Sequence, residues 1–113
     1  MPQSTKLMKQ DMTSSHHVDD DGNPAGGQTS AMGMILSWQN GPLGRDGERL
    51  EPNGCFVETV IMAAKDRLSY YQGSKFECVE NAIAIHHLNT ALRSLEARTA
   101  NREVRQVEGT HEV

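Results

Sequence analysis

KFECVENAIAIHHLNTALRSLEARTANREVRQVE, residues 75–108, contains neither glycine nor proline. Within it Cys78, Ala82, Ile85, Leu88, Leu92, Leu95 and Thr99 recur at spacings of four and three residues. That rhythm puts the apolar groups on one face of an α-helix in a heptad-like stripe. Gly109 marks the latest plausible stop. Upstream, Phe56, Val57, Val60, Ile61, Ala64, Leu68 and Tyr71 keep the same spacing, which predicts a first helix of about four turns. Pro52-Asn53-Gly54 precedes it, with Asn53 or Gly54 near the N-cap. Gln72-Gly73-Ser74 divides the two helices. Gly73 suits a left-handed C-cap, and Ser74 with Glu77 has the pattern of a capping box. Helices joined by so short a loop pack antiparallel as a hairpin. The second is several turns longer, so its distal end overhangs with part of its apolar stripe uncovered. That overhang is a physical reason to expect a partner subunit.

Ahead of the helices, Met34-Ile35-Leu36-Ser37-Trp38-Gln39 is β-like and ends in the turn residues Asn40-Gly41-Pro42. Arg45-Asp46-Gly47 is a second turn, and Glu48-Arg49-Leu50-Glu51 is the expected return strand. A two-stranded ribbon is marginal alone and would be supported by pairing with another subunit. Residues 1–32 are expected to form a disordered tail, since Ser, Thr, Gln, Asp and Gly dominate and cannot bury enough apolar surface to order the chain. His16-His17 beside Asp19, Asp20 and Asp21 reads as solvated surface, because no fixed ligand geometry accompanies it. The expected architecture is α+β, mainly α. A short N-terminal antiparallel β-ribbon is followed by an antiparallel two-helix hairpin over residues 33–113, assembled as a homo-oligomer.

Composition narrows the function. Only 36% of the 113 residues are hydrophobic and 4% aromatic, so the core is aliphatic and thin. A net charge of −4 argues against bulk binding of DNA or RNA. No apolar run approaches the ~18 residues of a membrane span, and no secretory leader is visible. Cys55 and Cys78 are the only thiols, expected as free, packed side chains in a reducing cytoplasm. There is no phosphate-cradling glycine loop, zinc-type cysteine set or nucleophile elbow. His86-His87 lies mid-helix without a carboxylate or cysteine at metal-ligand spacing. One histidine is expected at the packed stripe and the other in solvent. The sequence thus predicts a protein with no catalytic residue, metal or cofactor.

Two sets of residues point to a ligand. Arg98, Arg102 and Arg105 stand at i, i+4 and i+7 near the end of the second helix and share a face. Such a cluster suits phosphate through bidentate hydrogen bonds; it also suits charge compensation at a helix C-terminus. Tyr71 and Asn81 flank the hairpin turn. An aromatic face with a side-chain amide can stack on and hydrogen-bond a nucleobase, although an amphipathic ring is normal at a helix end. Asn81 and Arg98 are separated by roughly 25 Å along one helix. An antiparallel dimer sets the arginine end of one hairpin against the turn of the other and so forms two equivalent pockets.

The core from about Ser37 to Val113 resembles the phage anti-Thoeris sponge family (Thoeris anti-defence, first type), whose helical hairpin is shared with phage anti-CBASS sponges. The resemblance is carried by Trp38-Gln39-Asn40-Gly41-Pro42 and by Asp66-Arg67-Leu68-Ser69-Tyr70-Tyr71-Gln72-Gly73. It continues in Phe76-Glu77-Cys78-Val79-Glu80-Asn81-Ala82 and Leu95-Glu96-Ala97-Arg98-Thr99-Ala100-Asn101-Arg102, and ends in Val107-Glu108-Gly109-Thr110-His111. It implies a non-hydrolytic protein that sequesters glyco-cyclic ADP-ribose, the cyclic ADP-ribose isomer made by Thoeris TIR enzymes. It also implies assembly as dimers or hexamers and action in the host cytoplasm as a phage product. By resemblance, Tyr71 stacks on adenine, Asn81 contacts the base, and Arg98 and Arg102 hold the pyrophosphate; Arg105 lies nearby. The segment from Leu43 to Pro52 is longer and more charged than the family pattern leads one to expect. Two other readings stay open: a sponge for CBASS cyclic dinucleotides or trinucleotides, and a helical adaptor that binds no nucleotide.

Overall fold

The computed structural model describes residues 11–113, which divide into two compact units. One comprises the residues up to Cys55 with Gly109–His111; the other comprises Phe56–Glu108 with Glu112–Val113.

The first unit holds a three-stranded antiparallel sheet, β1 (Thr13–Val18), β2 (Pro24–Ala31) and β3 (Met34–Ser37), in that spatial order. Most of the described part of the expected disordered tail, residues 11–32, is therefore β1 and β2; residues 1–10 lie outside the described residues. The tail expectation fails because it weighed only apolar burial. These strands are ordered by main-chain pairing and by a small polar centre instead. The register aligns Ser14 with Thr29 and Thr29 with Leu36. Thr29, 5% exposed, is the one buried side chain among the described residues. Its Oγ1 accepts the Trp38 indole N–H at 2.8 Å and lies 2.9 Å from Ser14 Oγ. The turn between β1 and β2 is closed by Asp19, whose Oδ1 accepts the backbone N–H groups of Asp21 and Asn23, both at 2.9 Å. The β1–β2 register is irregular between His16 and Val18. Opposite it Gly27 has φ +129°, and a Cβ there would overlap the Ser15 carbonyl, so that position requires glycine.

β3 follows the expected strand, but its partner is β2. Residues 48–51 form no return strand; Asp46–Glu48 is a 3-10 turn, and the loop is closed by the Leu50 N–H on the Leu43 carbonyl. The outer side of β3 is met instead by Cys55, which donates to Ser37 O at 2.7 Å and accepts from Gln39 N at 3.0 Å. The chain returns there through a side-chain clasp. Gln39 Oε1 accepts the N–H groups of Asn53 and Gly54, while Asn53 bonds both main-chain groups of Asn40.

The second unit is the expected helical hairpin, with α1 (Val57–Gln72) and α2 (Val79–Val104). The N-caps are Phe56 and Cys78, later than the sequence signals of Asn53–Gly54 and Ser74 suggested. Ser74 is drawn into the turn, donating to Tyr71 O at 2.6 Å and accepting from Phe76 N at 3.1 Å. Gly73 caps α1 at φ −90°, so it is not left-handed as expected. Val60, Ile61, Leu68 and Tyr71 of α1, and Ile85, Leu88, Leu92 and Leu95 of α2, form the half-buried inner faces. Cys78, Ala82 and Thr99, predicted in the stripe, are exposed. Cys78 is thus exposed rather than packed, Cys55 is half-buried, and neither is in a disulfide. His86 and His87 are both exposed, in edge-to-face contact with ring centroids 5.4 Å apart, so neither reaches the inner face.

α1 has 16 residues and α2 has 26, a difference of about 15 Å of helix. The overhang expected from the sequence is present. Among the described residues no hydrophobic side chain is fully buried, and Val79, Ile83, Phe76 and Val104 are each more than half exposed. The architecture is a small antiparallel sheet followed by an antiparallel two-helix hairpin, with three strands where a two-stranded ribbon was expected.

Candidate ligand-binding site

The hairpin turn holds Tyr71 and Asn81 near each other. Tyr71 lies one residue before the end of α1 and Asn81 is in the first turn of α2. Arg67, one turn earlier in α1, donates from Nε to the Tyr71 hydroxyl at 3.2 Å. Its guanidinium carbon stands 5.0 Å from the centroid of each of the Tyr70 and Tyr71 rings. The bond to Tyr71 raises the Arg67 pKa above its ordinary value. Arg67 thereby restrains Tyr71 at the turn by a hydrogen bond and a cation–π contact.

Asn81 is restrained from the same side. Its Nδ2 donates to Gln72 Oε1 at 3.2 Å, and Gln72 bridges to the Cys78 main chain across the turn. Both Gln72 and Asn81 are half-buried.

The arginines occupy the far end of α2. Arg98 Nη2 donates to Glu58 Oε2 at 3.3 Å. Glu58 is in the first turn of α1, so this ion pair marks how far along α2 the first helix reaches. Arg98 remains 60% exposed. Arg102 is half-buried and spreads its fork onto main-chain oxygens, Nη2 on Val107 at 2.9 Å and Nη1 on Glu112 at 2.6 Å. Arg105 donates from Nε to Asn101 Oδ1 at 3.1 Å and from Nη2 to the Val113 oxygen at 2.6 Å. Spacing put all three on one face; in the folded hairpin Arg98 turns to α1, while Arg102 and Arg105 hold the segment that follows α2.

Tyr71 and Asn81 are therefore gathered at the turn, and Arg98 lies at the opposite end of the hairpin beside the start of α1. Sequence reasoning missed Arg67, Gln72 and Glu58. Arg67 stands four residues before Tyr71, the spacing of helix neighbours, and was readable in principle. Glu58 is 40 residues from Arg98 and only the hairpin register brings them together. Among the described residues no group of three or more His, Cys, Asp or Glu side chains could hold a metal ion. None of the described helices is long and apolar enough to cross a membrane.

The family model described as "Acb2/Tad1, hairpin domain" matches residues 36–100. That span runs from β3 through the turn to Ala100 in α2. It contains Tyr71, Asn81 and Arg98, while Arg102 and Arg105 lie just beyond it. The chain is also similar to Thoeris anti-defense 1 of Bacillus phage SBSphiJ7, at 47% identity over 77 residues. The matched stretch is 68% of this chain and 51% of the relative, so the chain spans about half the length of the curated relative it matches. More than half of the sequence fits one family model that covers α1, the turn and most of α2, and the chain belongs to the Acb2/Tad1 hairpin family as a Thoeris anti-defence-like protein.

Proposed function

We propose that the protein is a non-enzymatic sponge that binds glyco-cyclic ADP-ribose between two copies of its hairpin and withholds it from the immune effector in the host cytoplasm. Tyr71 stacks on the adenine and Asn81 contacts its edge. Arg98 and Arg102 of the other copy hold the pyrophosphate, with Arg105 beside them. One observation carries this reading: Tyr71 and Asn81 sit at one end of the hairpin and the exposed Arg98 at the other. The ~25 Å of helix between Asn81 and Arg98 exceeds what one small nucleotide spans. A second, antiparallel copy brings the two ends together and doubles the site by symmetry. The same second copy gives the exposed Val79 and Ile83 something to pack on.

The chemistry fits sequestration. A guanidinium offers paired N–H donors to phosphate oxygens, and an aromatic ring offers a face to a base. Neither group activates water or attacks a bond. The test is incubation with glyco-cyclic ADP-ribose, removal of free ligand by filtration, and heat release of what is retained. Stoichiometric recovery of intact ligand is the expected result. Recovery of a linear product, or no retention, overturns the reading. CBASS cyclic dinucleotides and trinucleotides run in parallel identify the alternative specificity.

A further inference from the structure

One side-chain amide joins the two helices at the turn. Gln72, the last residue of α1, accepts the Cys78 N–H on Oε1 at 3.0 Å and donates from Nε2 to the Cys78 carbonyl at 3.0 Å. A backbone N–H can only donate and a carbonyl can only accept. Both ends of the Gln72 amide are therefore assigned by its main-chain partners. Oε1 takes a second bond, from Asn81 at 3.2 Å. An acceptor there demands a donor, so the Asn81 atom that faces Gln72 is the amino nitrogen. Asn81 is left with Oδ1 as an acceptor and one N–H as a donor. That pair matches adenine, whose amino group donates and whose adjacent ring nitrogen accepts. A base with a carbonyl in place of the amino group would set oxygen against Oδ1. Turning the Asn81 amide over to suit such a base would set oxygen against Gln72 Oε1 instead.

We propose that Gln72 is a positioning residue: its main-chain-anchored amide fixes the orientation of Asn81, so the site accepts an amino-bearing base and rejects its oxo counterpart. The proposal rests on the reading of Asn81 as the base contact. It adds the source of base selectivity, a role for a residue that touches no ligand.

The test is calorimetry on the full chain with two probes, glyco-cyclic ADP-ribose and its hypoxanthine counterpart. The parent protein is expected to prefer the adenine form by about tenfold or more, the value of a good amide–base pair. Gln72→Met keeps the side-chain length and removes both polar atoms. It frees the Asn81 amide to turn over, and the preference should fall to within about threefold. Asn81→Ala separates the two levels of the argument. If it leaves affinity for the adenine form unchanged, the base-contact reading fails and this proposal with it. If it weakens that affinity while Gln72→Met keeps the full preference, the positioning role alone is refuted. A parent protein without preference also refutes it. Should Gln72→Met not fold, the Asn81 side-chain NH2 signals of the parent decide the matter. One proton exchanging with solvent markedly more slowly than in a solvated asparagine amide supports the anchor; both exchanging at the solvated rate overturns it.

Discussion

Replacing Arg98 with alanine separates a guanidinium that serves the fold from one that serves a ligand. Within the chain it meets Glu58 at 3.3 Å, with side chains 60% and 30% exposed. An ion pair so open to solvent contributes about 0–1 kcal/mol, because water screens the charges and two long side chains must be ordered. Stability should therefore fall by less than ~1 kcal/mol in a urea titration. On a ligand the same group makes a charge-assisted hydrogen bond to phosphate of about 1.5–3 kcal/mol. Calorimetry with glyco-cyclic ADP-ribose should show Kd rising roughly 10- to 150-fold. Glu58→Gln is the matched control. It removes the same intrachain pair and also a negative charge beside the phosphate site, so binding should hold or tighten. An Arg98→Ala variant that loses more than ~2 kcal/mol of stability and binds as before would refute the reasoning. It would make Arg98 a structural brace of α1 on α2.

Tyr71→Ala should weaken ligand binding by ~1–3 kcal/mol through lost base stacking; unchanged affinity in calorimetry would remove Tyr71 from the site. Trp38→Phe deletes the indole donor to Thr29, and about 1 kcal/mol of stability should go with that bond, read by denaturant unfolding. The Asp19 carboxylate is held below its ordinary value of 3.8, chiefly by the Asn23 backbone N–H. A depressed carboxylate stabilises the fold fully above its unfolded pKa and loses that stabilisation as pH falls through the folded value. Protection of the Asn23 amide against exchange should hold at neutral and mildly acidic pH and decline below the ordinary carboxylate range, and Asp19→Asn should abolish the decline.

The helices were legible because their signal is periodic. The spacing of Ile85, Leu88, Leu92 and Leu95 survives intact as the inner face of α2, and the longer second helix overhangs as its length implied. Helix starts were less legible. Ser74 and Glu77 carry a capping pattern, yet the Ser74 hydroxyl bonds within the turn and Gln72 satisfies the Cys78 N–H. Nothing local distinguishes those two uses of a polar side chain. The sheet was missed for a different reason. Thr13–Val18 and Pro24–Ala31 lack an apolar alternation, and their order comes from strand pairing around the Thr29 hydroxyl. Tyr71 and Asn81 were found together because both flank one turn. Glu58 was invisible because its role depends on a pairing across the hairpin.

Mixing two crippled variants tests most directly whether each pocket draws on two chains. Tyr71→Ala keeps its arginines, and the double variant Arg98→Ala/Arg102→Ala keeps its tyrosine. Refolded together, mixed dimers contain one pocket with every group intact, so about a quarter of the parental capacity for glyco-cyclic ADP-ribose should return at near-parental affinity. A mixture that binds no better than its separate components would contradict the account.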